Sequence, residues 1–171
     1  MQPLPQLLMI HENLDKLPEL TLPEGFTILD HNVVEDTTWE RMIEESFSQK
    51  FSFQDFIVNG DDYAPEHVLY VAKDGEPIAT ITAIENHLYP GHGWFRMVAT
   101  LPKSRGLGAG RIAVHAALLS LRKRGYKSVM LSTDDNRLPA LHLYLSMGFK
   151  PYCNHESHQA RWETVFQNLK R

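Results

Sequence analysis

The chain has 171 residues, of which 43% are hydrophobic and 22% are charged, so its composition predicts one ordinary globular domain and excludes a disordered chain. The formal net charge of −4 provides no global positive field that would attract nucleic acid or an anionic membrane, and we expect neither as a partner. Cys153 is the only cysteine, which excludes an internal disulfide and is typical of the reducing cytoplasm, where we expect the protein.

The N-terminal stretch carries four prolines among scattered leucines, a pattern that favours an extended arm over a regular element. Its longest apolar run, residues 7–10, is too short for a signal sequence or a membrane span. We therefore expect residues 1–24 to form an N-terminal arm and residues 25–171 to form a single domain.

The next stretch predicts a strand, a helix and an aromatic connector. Residues 25–30 favour a strand, and Thr37 with Glu40 has the spacing of a capping box, in which a hydroxyl and a carboxylate bind early helix amides. Residues 48–64 predict a short helix and loop with many aromatics. These aromatics either line a substrate pocket or cover one side of the core, and the sequence leaves both interpretations open.

Strands and helices alternate through the rest of the chain. Residues 68–72 and 78–84 are rich in β-forming residues and are joined through Asp74 and Gly75, which predicts an antiparallel hairpin. Further strands are predicted at 94–101 and 128–132, helices at 108–124 and 137–147, and two closing strands at 149–153 and 160–166.

A glycine-rich loop joins the strand at 94–101 to the helix that follows. Gly106, Gly108 and Gly110 occupy alternate positions between Arg105 and Arg111. Glycines tolerate positive φ and let the backbone approach a ligand, so consecutive amides can form a concave nest at the positive end of the helix dipole. An anionic phosphate is the natural occupant of such a nest, and the two arginines would add charge-assisted bonds to a pyrophosphate.

Three other interpretations of this loop compete. The glycines could only permit tight packing of a strand-to-helix turn. A P-loop is excluded because no Gly-Lys-Ser/Thr follows the glycines. Residues 108–113 match the dinucleotide pattern G-x-G-x-x-A, with Asp134 ending the next strand, but residues 102–105 separate strand from glycines and too little chain follows for a doubly wound sheet.

Two motifs about 35 residues apart, as a βαβ unit between them requires, together resemble the GNAT superfamily of N-acyltransferases. Arg105-x-x-Gly108-x-Gly110 is similar to the family's pyrophosphate loop, and Tyr144-x-x-x-Gly148-Phe149 is similar to its second motif. The resemblance implies an α/β (α+β) fold with a mixed, mostly antiparallel sheet of six to seven strands. It also implies helices on both faces and a central pair of parallel strands that splay apart.

The resemblance implies that acetyl-CoA is the co-substrate. In the family, pantetheine amides pair with the exposed edge of one splayed strand, which corresponds here to Val98, Ala99 and Thr100. The residues that correspond to the pyrophosphate loop are Arg105, Gly106, Leu107, Gly108, Ala109, Gly110 and Arg111.

The resemblance also makes Tyr144 the general acid that protonates the departing CoA thiolate. A phenol with an ordinary pKa near 10 can return a proton to a base of comparable strength. Where the family often has an asparagine that contacts the cofactor, seven residues before this tyrosine, the present chain has Arg137. Asn136 is offset by one residue, which is about 100° of helix rotation, so either Arg137 reaches the cofactor or that contact is absent.

Amide formation also requires a base that removes a proton from the attacking amine. Glu85, at the end of the strand 78–84, is the candidate base, with His87 and His92 behind it. No metal is expected, because the run from His155 to His158 is not H-E-x-x-H and lies between predicted strands. Cys153 lacks a neighbour that would lower its pKa, so direct transfer is favoured over a covalent intermediate.

The acceptor is not determined by the sequence. Residues 47–64, 85–92 and 154–158 are its expected determinants, and they suit a small-molecule amine or a peptide amine equally well. A second copy of the chain, in a homodimer, is a further candidate partner. The chain is expected to be an N-acetyltransferase; a non-catalytic acyl-CoA sensor and an NAD-binding oxidoreductase are the alternatives.

Overall fold

Seven strands form one sheet in a computed structural model, which describes residues 4–60 and 62–170. The strands are β1 (Leu7–His11), β2 (Phe26–Asp30), β3 (Val68–Lys73), β4 (Glu76–Glu85), β5 (Gly93–Thr100), β6 (Val129–Thr133) and β7 (Lys150–Tyr152). The α-helices are α1 (Asp36–Phe47), α2 (Ala109–Lys123), α3 (Leu138–Ser146) and α4 (His158–Leu169). A short π-helical segment, Gln54–Val58, lies between α1 and β3.

The strand order is β2-β3-β4-β5-β6-β1-β7. β5 and β6 run parallel, whereas the other neighbouring pairs in the described sheet are antiparallel. The prediction of a mixed, mostly antiparallel sheet with a central parallel pair is therefore confirmed. The dinucleotide-binding interpretation of the glycine loop is wrong, because that site belongs to a doubly wound parallel sheet.

Helices cover both faces of this sheet, as predicted. The buried side of α2 packs against β3, β4 and β5, and its Leu121 side chain lies so close to Gly93 that a Cβ there would come within 2.7 Å of it. On the other face, α1 buries Trp39, Met42 and Ile43. Each such side chain contributes about 1.5–3 kcal/mol through burial of apolar surface.

The prediction of an extended N-terminal arm is wrong for Leu7–His11, which form β1 inside the sheet. β1 pairs antiparallel with β6, from Leu7 opposite Thr133 to His11 opposite Val129, and its other edge pairs with β7. Residues 1–3 of the predicted arm, residue 171 and Asp61 of the aromatic connector lie outside the described residues.

Two further local predictions are wrong. Helix α1 begins one residue before Thr37, its N-cap is Glu35 and no side chain caps it; the Glu40 carboxylate instead accepts a hydrogen bond from the Phe53 amide at 2.9 Å. The last predicted strand, 160–166, lies in the helix α4, whose buried Trp162 and Val165 have helical spacing and join the core beside α3.

None of the helices in the described part of the chain is long and apolar enough to span a bilayer.

Candidate active site

The glycine loop has the backbone geometry of an anion nest. Gly106 and Gly108 have φ of +83° and +80°, in the left-handed region that favours glycine, and Gly108 directly precedes α2. No side chain caps α2, so its first amides lack a capping partner. Gly110 has a different role: a Cβ there would lie 3.3 Å from the Thr100 hydroxyl and 3.4 Å from Leu143, so glycine permits close packing of the helix.

A cavity of about 790 Å³, which we call the nest cavity, opens at this end of α2. Most of the residues predicted to bind the acyl donor line it: Val98, Ala99, Thr100, Arg105, Gly106, Gly108, Ala109, Gly110, Arg111 and Arg137. Leu107 is exposed and is not among the lining residues. Arg111 is one of these lining residues, and its Nη2 donates a hydrogen bond to the Ser146 hydroxyl of α3 at 2.7 Å.

The parallel strands β5 and β6 separate next to this cavity. They pair only from Gly93 to Phe95 of β5, and the rest of β5 has no partner on β6. A β-bulge accompanies the separation: the register with β4 shifts beyond Arg96, and Met97 has φ of +52°. The bulge turns the following β5 residues away from β6, so the main chain from Val98 onward borders the nest cavity.

A second cavity, of about 500 Å³, lies on the other side of this opening, and we call it the aromatic cavity. Six aromatic residues are among its lining: Phe47, Phe51, Phe56, Trp94, Phe95 and Tyr144. The nest cavity and the aromatic cavity share five lining residues, namely Phe47, Val98, Arg137, Ala140 and Tyr144. The two cavities therefore adjoin at the separation of β5 and β6.

Tyr144 lies on α3 at this junction and is 5% exposed. Burial raises its pKa well above the ordinary value, and the Arg137 guanidinium offsets this only in part. The phenol therefore stays protonated over the physiological pH range, as a general acid must, but its raised pKa makes it a weaker acid than a free phenol. Its ring also packs near Phe149, with 5.7 Å between centroids, so the hydroxyl-bearing ring belongs both to the core and to the cavity wall.

Arg137 lies directly before α3 and is held from two sides. Its Nε is 3.2 Å from a carboxylate oxygen of Asp134, and its guanidinium lies 4.5 Å from the centre of the Phe47 ring on α1. Asn136, which the sequence-based argument set aside, lines the nest cavity beside it. Arg137, the predicted cofactor contact, and Asn136 thus border the same cavity.

Glu85 lines the aromatic cavity at the end of β4, but its carboxylate is already engaged. Its Oε2 accepts a hydrogen bond from the Tyr126 hydroxyl at 3.2 Å. His87 also lines this cavity, whereas His92 bonds the Ser128 hydroxyl at 2.6 Å and is not among the lining residues. Of the three predicted acceptor segments, residues 154–158 contribute nothing to the lining.

Gln6 is a residue of the aromatic cavity that sequence reasoning missed. Its side-chain amide donates to Asp134 at 2.9 Å and accepts from the Ser132 hydroxyl at 2.8 Å. It was missed because its position depends on the pairing of β1 with β6, for which no local signal exists.

Metal ligands are not clustered in the part of the chain that the structure describes: no three or more His, Cys, Asp or Glu side chains are grouped to hold an ion there. His155 and His158 have ring centroids 5.7 Å apart, and His158 is fully buried. Cys153 is exposed and lines neither cavity.

Residues 32–149 match the model of the acetyltransferase (GNAT) family. The chain belongs to this family. A mycothiol acetyltransferase of Thermomonospora curvata is 31% identical over 148 residues, which cover 80% of this chain and 48% of that protein. An uncharacterized N-acetyltransferase of Schizosaccharomyces pombe is 31% identical over 75% of this chain and 85% of its own length.

The fold comparison agrees with this assignment. A GCN5-related N-acetyltransferase from Sphaerobacter thermophilus superposes with a TM-score of 0.69 at 23% identity, over 86% of this chain and 49% of that chain. The chain spans about half the length of this structure and of the mycothiol acetyltransferase it matches.

Proposed function

We propose that the protein is an acyl-CoA-dependent N-acetyltransferase that moves the acetyl group of acetyl-CoA directly to a primary amine. The observation that carries this proposal is the meeting of two cavities at Val98, Arg137 and Tyr144. One cavity ends in a phosphate nest and the other is walled by aromatics. A donor and an acceptor that enter from opposite sides would therefore meet at the buried tyrosine.

Acetyl-CoA fits the groups of the nest cavity. The uncapped amides of α2 would bind its pyrophosphate, with charge-assisted bonds from Arg105 and Arg111. The edge of β5 beyond Phe95, which has no β6 partner, would pair with the pantetheine amides. Arg137 would lie beside the acyl end of the donor, where it borders both cavities.

The chemical step then needs one acid and one base. The neutral amine attacks the thioester carbonyl, the carbon–sulfur bond breaks, and the departing thiolate takes the proton of the Tyr144 hydroxyl. Glu85 is the proposed base for the proton that the amine loses. We propose that a water relays that proton to the carboxylate, which also accepts a hydrogen bond from Tyr126, and that solvent reprotonates Tyr144.

A covalent acyl-enzyme is not part of the proposal, since Cys153 lines neither cavity. A cytoplasmic location and a homodimer remain predictions.

The proposal is tested by binding and turnover on the same preparation. Thermal unfolding is compared with acetyl-CoA, longer acyl-CoAs, NAD and ATP, and CoA release is then followed across a library of amines. Because the exposed thiol of Cys153 would react with a thiol reagent, the assay uses a Cys153→Ser variant or separates CoA by chromatography.

Stabilisation by acetyl-CoA and an acetylated amine detected by mass spectrometry would support the proposal. Stabilisation by NAD but not by CoA would contradict the donor. Stabilisation by acetyl-CoA with no CoA release on any amine would favour a sensor instead.

A further inference from the structure

Arg96 places a half-buried guanidinium in the aromatic cavity. It lies two positions after Trp94 on β5, ahead of the bulge at Met97, so both side chains point to the same face of the sheet and line the cavity. Gly60, which follows the π-helical segment, lies against the guanidinium: a Cβ at Gly60 would come within 3.1 Å of Arg96 Nη1. The guanidinium is thus confined between β5 and Gly60.

The charge of Arg96 has no counter-ion among the residues that the structure describes. The other cation of the cavity, Arg137, is paired with Asp134. Arg124, near the end of β4, is paired with Asp62 and also donates to the main-chain carbonyl of Ala83. Arg96 makes no ion pair or hydrogen bond with any described residue, and the partial desolvation of an unpaired guanidinium costs free energy that an anionic partner would offset.

The surroundings of Arg96 combine this charge with apolar surface. Phe51 and Phe56 meet edge to face with centroids 4.5 Å apart, and Trp94 stacks on Tyr89 at 5.2 Å. Phe56 stays 36% exposed although it lines the cavity. A ligand of this cavity therefore meets aromatic surface, the hydrogen-bonded carboxylates of Glu85 and Asp134, and a guanidinium that no described residue pairs. Such an arrangement suits an amphiphilic anion.

We propose that Arg96 binds an anionic group of the acceptor, so that the amines acetylated here carry a carboxylate or a phosphate-like group together with an apolar side chain. This inference rests on the proposed function. Arg96 lies two residues before Val98 on β5, with the bulge at Met97 between them, so we expect a short linker between the reacting nitrogen and the anion. Arg96 is then a specificity-determining residue, while the chemistry occurs at Tyr144.

The experiment uses matched acceptors that differ in this one group. Phenylalanine, its phosphonate analogue and the neutral phenylalaninamide are compared, as are 4-aminobutanoate and butylamine, each corrected for its fraction of neutral amine. The proteins are wild type, Arg96→Gln and Arg96→Lys. Arg41→Gln is the matched control, because Arg41 pairs with Glu45 on the exposed side of α1 and lines neither cavity.

In wild type, kcat/KM for the anionic acceptors should exceed that for the neutral ones by about 10- to 100-fold, the usual strength of a charge-assisted hydrogen bond. Arg96→Gln should remove this preference by raising KM for the anionic amines, and it should leave the affinity for acetyl-CoA unchanged. Arg96→Lys should restore part of it, because lysine keeps the charge and loses the planar fork. The comparison of phenylalanine with its phosphonate analogue shows which anion the site prefers.

Equal use of anionic and neutral amines by wild type, or an equal loss for both in Arg96→Gln, would overturn the inference. Failure of the proposed function gives a separate result, namely no CoA release from any amine. In that case calorimetric titration of the same amines into the CoA complex decides the role of Arg96. Tighter binding of the anionic amines to wild type than to Arg96→Gln supports it, and equal binding contradicts it.

Discussion

The nest cavity and the aromatic cavity are built from different kinds of parts. The nest cavity takes most of its wall from one continuous stretch, from Val98 to Arg111, which includes three glycines that expose only main-chain groups. The aromatic cavity takes side chains from segments that are distant in sequence, including Gln6, Phe56, Trp94 and Asp134. Main-chain amides suit a donor that is the same in every turnover, whereas side chains are free to select an acceptor.

A substitution at the junction of the two cavities should have the largest effect on turnover. Tyr144→Phe removes the proposed acid and should lower kcat by about 100-fold or more, in the range of general acid catalysis, with KM for both substrates little changed. The measurement is steady-state CoA release. Tyr152→Phe, at an exposed site on β7, is the control and should keep wild-type turnover. Full turnover of Tyr144→Phe would exclude the tyrosine as the acid.

A change in the nest should affect the donor side alone. Gly108→Ala forces a residue with a Cβ to φ of +80°, which costs about 1–2 kcal/mol, and the shifted amides should weaken acetyl-CoA binding about tenfold. Gly75→Ala is the matched control: Gly75 has φ of +86° in the turn between β3 and β4, and no atom lies within 4 Å of its Cβ position. Calorimetry should show weaker binding only for Gly108→Ala, although both variants lose stability.

A change at Gln6 should affect the acceptor side alone. Gln6→Ala removes the bonds to Asp134 and Ser132 that hold the wall of the aromatic cavity, and KM for the amine should rise by about 3- to 10-fold. The dissociation constant of acetyl-CoA should stay within about twofold of wild type. Gln159→Ala, which loses only an exposed bond to Glu163 on α4, is the comparison. An equal effect of Gln6→Ala on both substrates would show that the cavities are not independent.

The loop between β6 and α3 borders both cavities and should give the smallest effect, on stability. Asp135 binds Arg161 of α4, which also donates to the carbonyl of Pro5, and this hydrogen-bonded pairing lowers the pKa of Asp135. A lowered pKa in the folded state adds stability above the ordinary carboxyl pKa, and that stability is lost as pH falls through the lowered value.

Asp135→Asn should therefore unfold about 1 kcal/mol more easily than wild type at neutral pH, with the difference vanishing in strong acid. Denaturant titrations at several pH values measure this. Asp15→Asn, which removes an exposed ion pair with Lys127, should show a smaller difference. If the difference in free energy of unfolding between wild type and Asp135→Asn persisted in acid, it would come from lost packing rather than from the lost charge.

Where a prediction depended on neighbours in sequence, it was largely correct. The hairpin of β3 and β4 follows from adjacent strands and their turn, and the helix α2 follows from a periodic apolar side behind three glycines. The predictions for β1 and α4 were wrong because each of these elements is stabilised by partners that are distant in sequence. β1 is inserted between β6 and β7, and α4 packs against α3, so contacts far away in sequence override weak local preferences.

The candidate site divides in the same way. The glycine loop was named from its local pattern and Tyr144 from the family resemblance, and all but Leu107 of the predicted donor residues line the nest cavity. Gln6 and Arg96 were not named, since nothing nearby in sequence indicates that they face a common cavity.

By itself, the sequence predicted the family through a resemblance, the anion nest of the glycine loop and the candidate acid. These depend on short segments whose conformation is set by glycine, helix periodicity and a turn. Only the tertiary structure decided which side chains line the aromatic cavity together, because the bulge at Met97 and the insertion of β1 bring Gln6 to the same opening as residues up to Tyr144. That Arg96 has no counter-ion among the described residues also depends on this arrangement, since burial and pairing are properties of the folded chain.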